Sequence, residues 1–179
     1  MRSIKLLFTV LSLVVLTTAC ENYSDTPIDY SPIFPISGEW RIRITEIGPD
    51  TLLKTAAGGI AMYTFGTYNT SDNQADSMWI RNTTAMVSDL GTLRGKIGCD
   101  VPNLSFSGAN ATDISFTTGV ATFTVTEGKV ILNAITMPSG IKADMISFRL
   151  TSTKTGNRNF LFEGYRRTLW NEDETFTTF

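Results

Sequence analysis

The side chains that most often carry chemistry are scarce in this sequence, and the scarcity is itself informative. There is no histidine, and the two cysteines are Cys20 and Cys99. Ser–His–Asp and Cys–His nucleophile pairs, the two-His-one-carboxylate iron site and any His-containing zinc site are thereby excluded. Two cysteines are too few for a Cys-only zinc or iron–sulfur site. No Gly-x-Ser-x-Gly nucleophile elbow occurs. Carboxylates are plentiful (Asp72, Asp76, Asp89, Asp100, Asp113), as in any soluble protein. The densest set of hydrogen-bonding side chains is Tyr68-Asn69-Thr70 with Asn73 and Asp76, followed by Trp79. Asn and Asp cap turns by accepting from backbone N–H groups, which alone would explain them; the sharper reading is a polar mouth in which Tyr68, Asn69 and Asp76 orient a ligand headgroup. Calcium is disfavoured, because the spacing is not that of a calcium loop. No cofactor and no metal are expected.

These residues must be positioned by strands. From Trp40 onward Thr, Val, Ile, Phe and Tyr dominate in alternating runs, the composition of sheet. Strands are expected near 39–47, 60–68, 76–82, 93–101, 103–108, 119–126, 129–136, 143–153 and 158–168. Glu127 with Gly128, and Gly156 with Asn157, read as two-residue hairpin turns. The 50–57 stretch offers at most a turn or two of helix. In the first strand Trp40, Ile42 and Ile44 share one face and Arg41, Arg43 and Thr45 the other. An open sheet of eight or more strands would leave two edges and one apolar face uncovered, so closure is required. The fold class is therefore all-β: a single antiparallel up-and-down barrel of about eight strands, with a β-sandwich as the alternative. Met62, Trp79 and Phe123 are the candidates to line an interior pocket. Cys99 alternates with Leu93, Ile97 and Val101, as a buried small hydrophobe would.

The N-terminus gives an address. Residues 1–20 combine Arg2 and Lys5 with an apolar run from Leu6 to Leu16 and small residues before Cys20. About 11 apolar residues are too few for a permanent bilayer helix and suit a secretory signal. Ala19-Cys20 resembles the lipobox of bacterial lipoproteins, whose cysteine is acylated; Thr17 stands where that pattern usually has an aliphatic residue. The resemblance implies a signal peptide at 1–19, a lipidated Cys20 with a proline-rich tether at 20–37, and a barrel domain at 38–179. Cleavage would remove Arg2 and Lys5, leaving 160 residues with 13 bases and 17 acids, a net charge of −4. Such a chain is held at a membrane by its acyl groups, since anionic headgroups repel it. The acidic balance also speaks against nucleic acid as a partner.

Three stretches carry a further resemblance: Gly38-Glu39-Trp40, similar to the Gly-x-Trp that opens lipocalin-type barrels; Tyr68-Asn69-Thr70 with Asn73, Asp76 and Trp79; and Gly164-Tyr165-Arg166-Arg167-Thr168. Together they resemble the Bacteroidetes calycin-like (lipocalin-like) lipoproteins labelled "lipid-binding putative hydrolase". The resemblance implies a barrel that binds a lipid or other small hydrophobic or amphipathic molecule without catalysis, anchored in the cell envelope at the outer membrane, on its periplasmic face or at the cell surface. It also implies that Trp40 packs under Arg166 or Arg167 to close the base. A surface module binding glycan or a partner protein through exposed aromatics is the alternative.

Overall fold

The computed structural model describes residues 27–48, 51–54, 57–82, 84–86 and 90–179. The signal segment and Cys20 lie outside the described residues. The chain divides into two units, 1–30 and 31–179. Residues 27–30 of the first are exposed and without regular structure; the second holds the fold.

Its strands are β1 (Gly38–Glu46), β2 (Thr51–Leu52), β3 (Tyr63–Asn69), β4 (Ser77–Asn82), β5 (Arg94–Asp100), β6 (Ser105–Thr112), β7 (Thr122–Thr136), β8 (Lys142–Ser152) and β9 (Asn159–Arg166). One-turn 3-10 segments lie at Phe34–Ile36 and Thr153–Thr155, and a short helix, α1 (Asn171–Glu174), follows the last strand. Apart from β2, each strand pairs antiparallel with the next in sequence. β1 then pairs with β9 from Trp40 opposite Arg166 to Glu46 opposite Phe160. That seam closes eight strands into an up-and-down barrel and sets the sandwich aside. β2 is an extra strand on the far end of β1, with Thr45 opposite Leu52.

Alternation decides what faces inward. Trp40, Ile42, Ile44, Phe65, Met78, Ile80, Phe148, Phe160 and Phe162 are essentially inaccessible, and each large apolar side chain so buried contributes roughly 1.5–3 kcal/mol. At the centre Phe148 stacks on Phe162 at 4.7 Å between ring centroids, with Phe65 at 5.2 Å and Phe106 at 5.6 Å from Phe148. The interior is lined by apolar side chains from all eight strands of the barrel.

Three local expectations are corrected. Glu127 and Gly128 do not turn a hairpin: β7 runs through them, Glu127 takes φ 55°, and the register with β8 slips between Thr126 and Lys129. A left-handed residue followed by glycine serves a bulge as well as a hairpin turn, and here the flanking strands run on past it. Gly128 is needed for close approach, because a Cβ there would lie 2.2 Å from the Phe106 carbonyl oxygen. The 50–57 stretch is not helical where described: it supplies β2 and then Leu53, whose amide donates to the Ile44 carbonyl at 2.9 Å. Gly156 and Asn157, with φ 65° and 61°, lie between β8 and β9 but do not form a two-residue hairpin: the 3-10 turn Thr153–Thr155 precedes them, and the last strand pair is Thr151 opposite Asn159.

Candidate functional site

The two ends of the barrel are closed differently. At the base, where β1 begins and β9 ends, the 3-10 turn Phe34–Ile36 crosses the opening and buries Ile33 and Ile36 completely. Trp40 Nε1 donates to Thr67 Oγ1 at 2.9 Å, and that hydroxyl donates to the Ile36 carbonyl at 2.7 Å. The Arg166 guanidinium lies 4.5 Å from the Trp40 ring centre. It donates to the carbonyls of Ser37 and of Pro35 (3.0 Å), and its Nε pairs with Asp144 at 2.8 Å. A Cβ at Gly38 would lie 2.3 Å from the guanidinium, so the glycine of Gly38-Glu39-Trp40 makes room for the arginine. Arg167, one residue on, points to the outer face and pairs with Glu39 (2.7 Å) and Glu174 (2.8 Å).

At the opposite end, the mouth, connections close the barrel. Leu53, Met86 and Leu90 come from the links between β1 and β3 and between β4 and β5, and they join the interior cluster. Among the described residues these links are held by backbone bonds that include Leu53 N to Ile44 O at 2.9 Å and Asn82 N to Leu93 O at 3.2 Å. Ala61 N donates to Leu53 O at 3.1 Å, Met86 N to Gly91 O at 2.9 Å, and the buried Asn82 carboxamide bonds Gly91 O at 3.0 Å as well as Thr84 O and the Leu93 amide. On the 113–121 connection Ile114, Phe116 and Val120 stay exposed, Val120 to 85%. Beneath that rim Lys154 Nζ lies 2.7 Å from Asp113 Oδ2, an ion pair almost wholly out of solvent. Burial works to raise the Asp113 pKa, but Lys154, Ser115 and the amides of Arg94 and Ser115 together hold it below the usual carboxylate range. Nothing in the alternation singled out Asn82, Asp113 or Lys154; isolated polar residues at strand ends are the only trace.

The sequence-predicted ligand residues fall in five places. Phe123 is interior, against Gly95, where a Cβ would meet its ring at 2.4 Å. Tyr68 and Trp79 are cross-strand partners on the outer face, one residue out of phase with the inward Thr67 and Met78. Arg81 lies 5.4 Å over the Tyr68 ring, and the two, with Gly66 and Glu39, line an open groove of about 360 Å³. Asn69 donates to Asn73 at 3.2 Å within the β3–β4 turn. Asp76, exposed, borders an acidic surface groove of about 420 Å³ with Cys99, Asp100 and Glu127. Met62 packs on the outside, in a second cluster with Met137, Ala143 and Tyr165 under the C-terminal Phe176 and Phe179. The six do not share one pocket. Cys99 is half-buried rather than enclosed; burial first, then Asp76 and Asp100, push its thiol up to about 11, so it stays protonated and unreactive. No group of three or more acidic or cysteine side chains among the described residues is placed to hold a metal ion.

A closed antiparallel barrel with an apolar interior defines the class of up-and-down β-barrels. Residues 25–171 match the family described as "lipid-binding putative hydrolase", and the chain belongs to that family. No curated protein matches it. A crystal structure from Bacteroides ovatus, described as of unknown function, is similar at 14% identity with a TM-score of 0.41; the match covers 74% of this chain and 42% of that one.

Proposed function

We propose that this protein is a membrane-anchored lipoprotein that binds a lipid-like ligand in its barrel without catalysing a reaction. The observation that carries the proposal is the mouth: an apolar interior covered, among the described residues, by Leu53, Met86 and Leu90 on connections outside the strands, beside an exposed apolar rim. Ligand entry displaces Leu53, Met86 and Leu90. At roughly 2 kcal/mol for each side chain unburied, the displacement costs about 6 kcal/mol. A buried methylene returns about 0.8 kcal/mol, so a chain of about eight methylenes is needed to break even. Long acyl chains are favoured and short fragments excluded. The absence of catalysis rests on the chain's lack of histidine and on the engagement of its buried carboxylates: Asp113 with Lys154, Asp173 with Ser139 and Thr168.

The anchor in this reading is Cys20, acylated after removal of residues 1–19, and the place is the outer membrane of the cell envelope. Native mass spectrometry of protein purified from its own host, followed by lipid extraction, tests the whole proposal. The expected result is an acylated mature chain carrying a further, non-covalent lipid; a lipid-free barrel sinks the ligand reading.

One observation favours a second reading. Tyr68, Trp79 and Arg81 form an aromatic and cationic strip on the outer face, suited to a glycan or a partner protein. Loss of glycan or partner binding in Tyr68→Ala with lipid content unchanged would move the function there.

A further inference from the structure

The base of the barrel carries apolar side chains that stay partly exposed. Leu169 and Trp170 are exposed to 70% and 54%, Phe34 to 48% and Ile141 to 41%. They come from three separate segments and lie on one end. Arg166 bonds the carbonyl of Pro35, within the Phe34–Ile36 turn, and that of Ser37, just after it, while Ile141 and Thr168 line a single shallow groove with Arg166.

The presentation of Leu169 and Trp170 is built. Leu169 holds φ 65°, a left-handed conformation that a branched side chain seldom adopts. The segment is pinned from behind by Asp173, itself 1% exposed, which accepts from the Thr168 hydroxyl and from the Ser139 amide (2.9 Å) and hydroxyl (2.7 Å). Trp170 O caps α1 by accepting from Asp173 N at 3.0 Å. A strained backbone and a buried carboxylate thus hold two large apolar side chains out in solvent.

The chain enters the barrel unit at Ser31, immediately before the turn that crosses the base. Ten residues lie between Cys20 and Ser31, and the stretch spans at most roughly 40 Å. We propose that this end rests on the bilayer that holds the anchor, with Leu169 and Trp170 seated among the headgroups and acyl chains of the lipid surface. The inference rests on the anchored reading above. A mature chain of net charge −4 has no electrostatic pull toward anionic lipid, so contact must come from apolar and aromatic side chains. Tryptophan, with an apolar body and one N–H donor, is the residue that suits the interface. Resting on the base leaves the mouth turned away from that bilayer.

The three tryptophans make the test direct, because Trp40 is buried in the interior and Trp79 can be removed. Full-length protein expressed as a lipoprotein, carrying Trp79→Phe, is reconstituted into phosphatidylethanolamine vesicles with brominated acyl chains. Acylation is checked by intact mass and folding by the thermal midpoint. Bromolipid should quench about half the tryptophan emission, and adding Trp170→Phe should abolish that quenching without moving the midpoint. An acylated, vesicle-bound and folded chain whose Trp170 is not quenched overturns this inference alone. Unquenched Trp170 with sedimentation as a dimer assigns the surface to a second copy and also overturns it. A chain that is not acylated removes the anchor and this inference with it.

Discussion

The base and the mouth of this barrel solve the same problem, covering an apolar interior, with different materials. The base uses groups that hold each other in several ways at once: Arg166 stacks on Trp40, bonds two carbonyls of the crossing turn and pairs with Asp144, while Trp40 bonds Thr67. The mouth is covered, among the described residues, by Leu53, Met86 and Leu90 on connections outside the strands. An interlocked set of bonds opens only when the whole barrel does, whereas a lid held mainly by burial can open locally at a fraction of the global free energy. In the reading proposed above, the difference leaves the base fixed and the mouth as the place where a ligand enters.

Trp40→Ala should give the largest effect. It removes a fully buried indole, strands Thr67 and leaves the guanidinium without its platform, so about 4 kcal/mol of unfolding free energy should be lost in a urea titration. That would be a large part of a small domain's stability. Ligand affinity, measured on whatever fraction remains folded, should change little. If affinity falls while the unfolding midpoint holds, the base is a ligand site and the division between the ends is wrong.

Lys154→Met should cost about 3 kcal/mol, because it leaves Asp113 buried without its partner. The pair also gives a pH signature. The Asp113 pKa is lowered in the folded state, so its stabilisation is fully present above the unfolded value near 4 and is lost as pH falls through the lower folded value. Asp173 at the base behaves in the same sense: burial opposes ionisation, but Thr168 and Ser139 outweigh it. Acid titration of stability should therefore lose its Asp113 part in Lys154→Met and its Asp173 part in Ser139→Ala. If both variants change the acid limb identically, the two ends are not independent.

Leu90→Ala tests the lid. It should cost about 2 kcal/mol, at the low end of leucine truncations because the connection can settle inward. Hydrogen exchange should separate the ends more clearly than the midpoint does. The Met86 amide should exchange by local opening, and the amides of Trp40 and Ile42 only on global unfolding. Equal protection at both places would make the mouth as fixed as the base and remove the route proposed for ligand entry.

The barrel was largely legible in the sequence because alternation is local. Trp40, Ile42 and Ile44 against Arg41, Arg43 and Thr45 is a period-2 signal that needs no knowledge of the partner strand. The extra strand and the β7 bulge were not legible, because a Glu-Gly pair has the same backbone preference in a bulge as in a hairpin turn, and only the flanking strands decide. The ligand residues were read by type rather than by phase. Tyr68 and Trp79 are aromatic but sit one residue out of register with Thr67 and Met78, which places them outside. The buried pair of Asp113 and Lys154 spans 41 residues and two turns; no local pattern encodes such a meeting.

The smallest effect expected is also the one with an unusual sign. Leu169 lies in the left-handed region with its side chain mostly in water, so replacing it by glycine removes little buried area. The left-handed conformation costs an L-residue roughly 1–2 kcal/mol. Glycine pays no such cost but loses about 0.5–1 kcal/mol through the greater freedom of its unfolded chain. Leu169→Gly should therefore raise stability by about 0.5–1 kcal/mol, read as a small upward shift in the urea midpoint with unchanged slope. A gain of stability from deleting an exposed leucine would mean that the fold keeps this residue at its own expense, which sharpens the contrast within the base itself: Trp40 and Arg166 hold the barrel together, and Leu169 is carried for what it touches outside. A loss of stability would instead place Leu169 among the contacts that close the base.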